Sequence, residues 1–283
     1  MGSLKIFLET IKFEHSLFAL PFAYLGLFLA ERGWPRAGIL LWVSVAMVSF
    51  RTFAMAMNRL VDREIDAKNP RTENRALPRK LLSSSFVGAG AIASLLIFLV
   101  SSWVLGPLCF SLSPVPIFLA ALYPYLKRFT WLSHLVLGII LGIAPYGSWL
   151  ASRAEFSWIP GLLLMGVACW VSGFDILYSL QDYEFDRKWG LKSVPVCFGQ
   201  NPALWISRVL HLIAVLVWVG AGRLAGLGGI YEGGLALAAF FLLREHWLIG
   251  RFGIAKIQQA FFNMNVGVSF ALFVAAVADL QLR

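Results

Sequence analysis

Residues 38–66 read GILLWVSVAMVSFRTFAMAMNRLVDREID. The first part, 38–60, is long and apolar enough to cross a bilayer as a helix. Its only charged residues are Arg51 and, at the very end, Arg59. The run then closes on two aspartates, Asp62 and Asp66, spaced i, i+4. At 3.6 residues per turn, Asn58, Asp62 and Asp66 stack on one helical face, while Glu64 points elsewhere as a solvated charge. Carboxylates at a bilayer edge are costly and mark functional sites by default. One segment thus predicts both a membrane helix and a site at its end.

The pattern recurs 120 residues on. Asp175, Tyr178, Asp182 and Asp186 fall at offsets 0, 3, 7 and 11, which predicts one shared helical face, with Glu184 off it. The stretches 62–73 and 175–186 hold eight of the fifteen Asp and Glu residues of the chain.

The remainder is largely hydrocarbon: 59% of the 283 residues are apolar, and 14% are charged. A soluble domain carries about 25% charged residues. Runs such as GAIASLLIFLVSSWVLG at 90–106 do not alternate, which excludes an outer-membrane barrel. The net charge of +9 belongs to loops between spans, and no basic stripe with interleaved aromatics points to nucleic acid. Cys109, Cys169 and Cys197 show no metal or disulfide spacing and read as small core residues. Residues 1–14 mix Glu9 and Glu14 with Lys5 and Lys12, unlike a cleavable signal, and read as an interfacial helix.

Nine spans are expected, near 16–31, 38–60, 86–104, 108–123, 132–150, 157–179, 203–221, 226–243 and 258–280. Pro107, Pro114 and Pro116 interrupt the fourth. With the N-terminus inside, eighteen of the 24 basic residues face the cytoplasm and five face outward, with Arg51 within a span. That bias sets N-terminus in and C-terminus out. Both acidic clusters then face the cytoplasm, each after the second helix of a four-helix unit. Parallel repeats would set them across a common central cavity. No linker divides the chain, so residues 1–283 read as one all-α polytopic membrane domain.

Two opposed carboxylate faces suit Mg2+, which takes oxygen ligands and is held by one or two carboxylates plus substrate phosphates. Without clustered His or Cys, zinc and copper are disfavoured. Cations for a diphosphate follow closely: Arg71 and Arg75 after the first cluster, Lys192 after the second, and Lys127 at the end of the fourth span. The plainer reading is that these acids and bases neutralise one another as loop ion pairs. The repeated offset and the basic followers favour a site.

Asn58-x-x-x-Asp62-x-x-x-Asp66, followed by Pro70-Arg71-Thr72-x-x-Arg75-x-Leu77-Pro78, resembles the first signature of the UbiA superfamily of intramembrane prenyltransferases. Asp175-x-x-Tyr178-x-x-Gln181-Asp182-x-x-x-Asp186-x-x-x-Gly190-x-Lys192-Ser193 resembles its second. Tyr123-Pro124-Tyr125-Leu126-Lys127-Arg128 is similar to a shorter family motif, and the region from Ala260 to Asn265 is weakly similar to the last helix. The resemblance implies nine transmembrane helices around a central cavity with a cytoplasmic cap, in a bacterial inner membrane. It also implies Mg2+-dependent transfer of a polyprenyl group from polyprenyl diphosphate to an aromatic quinone precursor such as 4-hydroxybenzoate. By position, Asn58, Asp62, Asp66, Asp182 and Asp186 would hold metal and diphosphate. Arg71, Lys127 and Lys192 would bind phosphate oxygens, and Asp175 and Tyr178 would line the reaction centre.

Two departures bear on the acceptor. The region Lys12-Phe13-Glu14-His15-Ser16 lacks the basic residue before proline that the family's aromatic-acid enzymes often carry, and Arg75-Ala76-Leu77 replaces Arg-Pro-Leu. With Phe18-Ala19-Leu20-Pro21-Phe22, these resemble a subgroup whose acceptor is 1,4-dihydroxy-6-naphthoate, in menaquinone synthesis. His15 and Arg75 are further candidates for substrate contact. His134, His211 and His246 are scattered and read as packed or interfacial residues. The rival class is a secondary transporter, but transporter sites lie near the bilayer midplane, whereas these aspartates sit at span ends.

Overall fold

The computed structural model describes residues 2–13, 16–253 and 257–282, and these contain helices and no strand. In chain order the helices are α1 (Ser3–Thr10), α2 (Ser16–Glu31), α3 (Ala37–Asp66), α4 (Ser84–Leu105), α5 (Pro107–Leu112), α6 (Pro114–Leu126) and α7 (Ser133–Arg153). There follow α8 (Trp158–Ser179), a 3-10 turn (Leu180–Asp182), α9 (Tyr183–Trp189), α10 (Val194–Phe198), α11 (Gln200–Leu224), α12 (Gly229–Phe252) and α13 (Ile257–Gln281). Seven segments among the described residues are long and apolar enough to cross a membrane.

Helix α3 has 30 residues, about 45 Å at 1.5 Å per residue, against roughly 30 Å of hydrocarbon. The surplus carries its last turns beyond the apolar zone, which is why Asp62 and Asp66 can sit on a spanning helix. The interrupted fourth span is a pair, α5 and α6, each with proline in its first turn. Proline lacks an N–H and is tolerated there, where no intrahelical partner exists.

The interior is built on close helix approach. A Cβ at Gly138 of α7 would stand 2.3 Å from the Ala168 carbonyl oxygen of α8, and one at Gly142 would stand 2.6 Å from that of Leu164. Only glycine permits this spacing, as is usual where helices associate by packing inside lipid. One core joins Phe22, Trp170, Val171, Trp218, Tyr231 and Leu272. A second joins α1 to α3 and α4 through Phe7, Ile11, Phe50, Phe53 and Val87. The interfacial helix expected before the first span is thus docked by one face, with Leu4 exposed on the other.

Two expectations need correction. Cys197 is exposed, not a core residue, because the short α10 packs on the spans through Val194 and Pro195 and leaves Cys197 facing outward; Cys109 and Cys169 are half-buried, and all three are free. Asp175, Tyr178, Asp182 and Asp186 do not share one continuous helix, because α8 gives way to the 3-10 turn before α9 begins. Arg51 finds its polar partners in the carbonyl oxygens of Ile11 and Lys12, at 3.3 and 3.1 Å.

Candidate active site

Asn58, Asp62 and Asp66 share a face of α3 and line one polar cavity of about 180 Å³. Asp175, Tyr178, Asp182 and Asp186 line the same cavity despite the break in their helix. The tighter 3-10 turn re-aims Asp182 and Asp186 without removing them from the site. Glu64 and Glu184 are exposed, as periodicity predicts.

The cations meet the acids across the two motifs. Arg71, from the loop after α3, makes a bidentate pair with Asp182, its Nε donating to Oδ1 at 2.8 Å and its Nη2 to Oδ2. Arg71 also donates to the Tyr178 hydroxyl at 3.3 Å and lies 5.4 Å from the centre of that ring. Asn69 Nδ2 donates to the same Asp182 oxygen at 2.8 Å. Burial opposes the Arg71 charge, but the hydrogen bond and charge of Asp182 outweigh it, so the guanidinium pKa is raised. Arg75 pairs with Asp66 at 2.7 Å, and Lys127 with Asp62 at 2.5 Å. The Lys192 backbone N–H donates to the Lys127 carbonyl oxygen at 2.6 Å, which brings Lys192 to the cavity rim beside Lys127.

Ion pairing, the plainer reading of these residues, is therefore present. Of the three pairs, only Arg75 with Asp66 joins neighbouring segments, nine positions apart. Two of the three pairs tie distant elements around a cavity: α3 with the end of α6, and the loop after α3 with the 3-10 turn.

Among the described residues, no three His, Cys, Asp or Glu side chains are grouped closely enough to hold one ion unaided. The site is not a closed metal cage. The donor set still fits Mg2+, which is typically held by one or two carboxylates and completed by water and substrate phosphate. Asp62 supports the fit: it is 3% exposed, and its Oδ1 is buried without a hydrogen-bond partner. A buried carboxylate oxygen left in that condition is costly unless a cation can reach it.

Sequence reasoning missed His134. It is 5% exposed, and its Nδ1 lies 2.7 Å from Asp175 Oδ2. Forty-one positions separate the two residues, so no local motif could have linked them. It also missed Asn69, one residue before the quoted Pro70-Arg71, and Arg59, whose Nε donates to the Thr10 carbonyl oxygen at 3.1 Å and so ties α1 to the site. His15 lies outside the described residues.

Below the polar cavity is a second, apolar one of about 590 Å³. The two adjoin through shared walls at Asn58, Arg59, Arg75, Tyr123, Asp175 and Tyr178. A charged head and a long apolar tail could be held together here, the head among the ions and the tail among Met47, Phe50, Phe98 and Leu141.

A profile described as the UbiA prenyltransferase family matches residues 19–267. The 4-hydroxybenzoate octaprenyltransferase of Aliivibrio fischeri (strain MJ11) is 33% identical over 265 residues, covering 90% of this chain and 88% of the relative. That of Vibrio campbellii is 31% identical over 247 residues, covering 86% and 85%. Among solved structures, the apo structure of a UbiA homolog from Aeropyrum pernix K1 superposes with a TM-score of 0.86 at 32% identity, covering 94% of this chain and 98% of that one. A UbiA homolog from Archaeoglobus fulgidus bound to GPP and Mg2+ shares the fold, with a TM-score of 0.74 at 19% identity over 96% of this chain and 99% of that one.

Proposed function

The chain belongs to the UbiA prenyltransferase family, and from that membership we propose that it transfers a polyprenyl group from polyprenyl diphosphate to an aromatic quinone precursor of the 4-hydroxybenzoate kind. The observation that carries this reading is the junction of an ion-lined cavity with an apolar one at Asp175 and Tyr178. The relatives named 4-hydroxybenzoate octaprenyltransferase support the acceptor class.

In this reading Asn58, Asp62, Asp66, Asp182 and Asp186 would hold Mg2+, which would supply positive charge to the departing diphosphate. Arg71, Lys127 and Lys192 bind the phosphate oxygens. Arg71 and Lys127 pair with Asp182 and Asp62, and donor phosphate oxygens would offer the two cations a second anionic partner in the same cavity.

The allylic C–O bond then breaks, its electron pair leaving with diphosphate. The Tyr178 ring lies at the junction, where an aromatic face favours a nearby cation. The acceptor ring forms the new C–C bond, and loss of a ring proton restores aromaticity. Asp175 orients the acceptor hydroxyl and takes up a proton, held in place by His134. The apolar cavity takes the tail and excludes water, which would otherwise trap the cation as an alcohol.

The same reading covers the whole chain as one domain with nine spans, the N-terminus and the site on the cytoplasmic side of a bacterial inner membrane. Basic residues crowd the site-side loops, in keeping with this orientation.

The test is transfer of labelled geranyl, farnesyl and octaprenyl groups, in membranes holding the chain, to a panel including 4-hydroxybenzoate and 1,4-dihydroxy-6-naphthoate. Mg2+-dependent product on one acceptor supports the proposal and names the acceptor. No prenylated aromatic from any pairing would reject it.

A further inference from the structure

Three glycines lie on α7, and two are demanded by packing. Gly147 is the exception. A Cβ there would meet nothing within 4 Å. Its backbone is ordinary helix, absent from the positions of positive φ. Glycine is the poorest helix former after proline, so its use in mid-helix calls for a reason. Neither close approach nor conformation supplies one, and since Gly88, Gly233 and Gly250 are equally open, it is the cavity that sets Gly147 apart.

Its position supplies the reason. Gly147 lines the apolar cavity, and so does Cys109 of α5, whose Sγ lies 3.8 Å from the Gly147 carbonyl oxygen. Helix α7 begins at the polar site, where His134 lines the ion-bearing cavity. Gly147 is thirteen residues further along, about 20 Å by helix rise. The facing wall agrees: from Asn58 back to Val43 on α3, both cavity-lining, is about 22 Å. The bare stretch of α7 is therefore at the deep end of the cavity.

We propose that Gly147 sets the tail length the protein accepts. Lacking a side chain, it leaves the deep end open between α5 and α7, so that a long polyprenyl chain runs past this level. A large side chain at 147 would close the passage and restrict transfer to tails that end above it. The inference rests on the proposed prenyl donor.

The test is a competition. Membranes bearing wild type or the Gly147→Val, Gly147→Leu or Gly147→Phe variant receive equimolar geranyl and octaprenyl diphosphate with one acceptor, and mass spectrometry reads the product ratio. The ratio of octaprenyl to geranyl product should fall with side-chain size, by about tenfold or more for Leu and Phe, the scale of steric discrimination in an apolar pocket. Cys109→Phe closes the same passage from α5 and should shift the ratio likewise, which keeps the test open if a Gly147 variant fails to fold. An unchanged ratio in variants that still form product would overturn the inference. Wild type forming no product from either donor would instead reject the donor reading beneath it.

Discussion

His134 holds Asp175 by a hydrogen bond in which the Nδ1–H group donates to the carboxylate. The backbone N–H of Val194 points at the other ring nitrogen, Nε2, at 3.3 Å. That nitrogen must accept, so in the neutral ring the proton resides on Nδ1, which faces Asp175 Oδ2 at 2.7 Å. The Ser172 hydroxyl adds a third restraint through the His134 carbonyl oxygen, at 3.1 Å. Asp175 is thereby held at the junction of the two cavities with its second oxygen turned to neither His134 nitrogen.

His134→Ala should lower kcat by roughly tenfold or more with a smaller change in donor KM, since a misaligned proton acceptor loses part of its general-base contribution. His134→Asn, whose amide nitrogen falls near Nδ1, should recover part of that loss, whereas His134→Gln should not. Equal rates for the Ala and Asn variants would contradict the positioning role.

Arg71 presents a planar fork to Asp182, and a lysine cannot reproduce it. Arg71→Lys should therefore remain impaired, close to Arg71→Ala, each with kcat/KM reduced by about a hundredfold. Full activity in the lysine variant would mean that charge alone suffices there.

Cys197 is exposed on α10, directly after the second aspartate motif, while Cys109 and Cys169 are half-buried within spans. A membrane-impermeant maleimide should label Cys197 in inverted vesicles and not in intact cells. Labelling in intact cells would reverse the proposed orientation.

The two kinds of glycine on α7 should separate by stability. Gly142→Ala forces a Cβ to 2.6 Å from the Leu164 carbonyl oxygen and should destabilise by about 1–3 kcal/mol, as overpacking does. Gly147→Ala meets open space and should stabilise, by up to about 1 kcal/mol of helix propensity. Thermal unfolding in detergent checks both signs.

These contrasts separate what the sequence alone makes legible from what tertiary packing decides. Asn58, Asp62 and Asp66 could be placed on one face because α3 runs unbroken through them, so a period of 3.6 holds from first to last. The same arithmetic failed at Leu180–Asp182, where a 3-10 turn intervenes and no glycine or proline announces it. Arg71, Lys127 and Lys192 were legible as neighbours of a motif, but their partners were not. Arg71 reaches Asp182 across 111 positions and Lys127 reaches Asp62 across 65, contacts made by tertiary packing alone. His134 was hidden for the same reason. The apolar cavity was foreseeable in kind, from composition, but its walls depend on which helix faces turn inward.

In the proposed function the two aspartate motifs form one metal-dependent diphosphate site. The most direct measurement is binding of geranyl S-thiolodiphosphate, a donor analogue that resists ionisation, with and without Mg2+. Wild type, Asp62→Ala, Asp182→Ala and the double variant are compared. Wild type should bind in a Mg2+-dependent manner, either single variant should lose most of that binding, and the double variant should be little worse than each, because residues acting on one shared ligand are not additive. Binding that survives chelation in wild type, or single losses that sum in the double variant, would contradict a shared site.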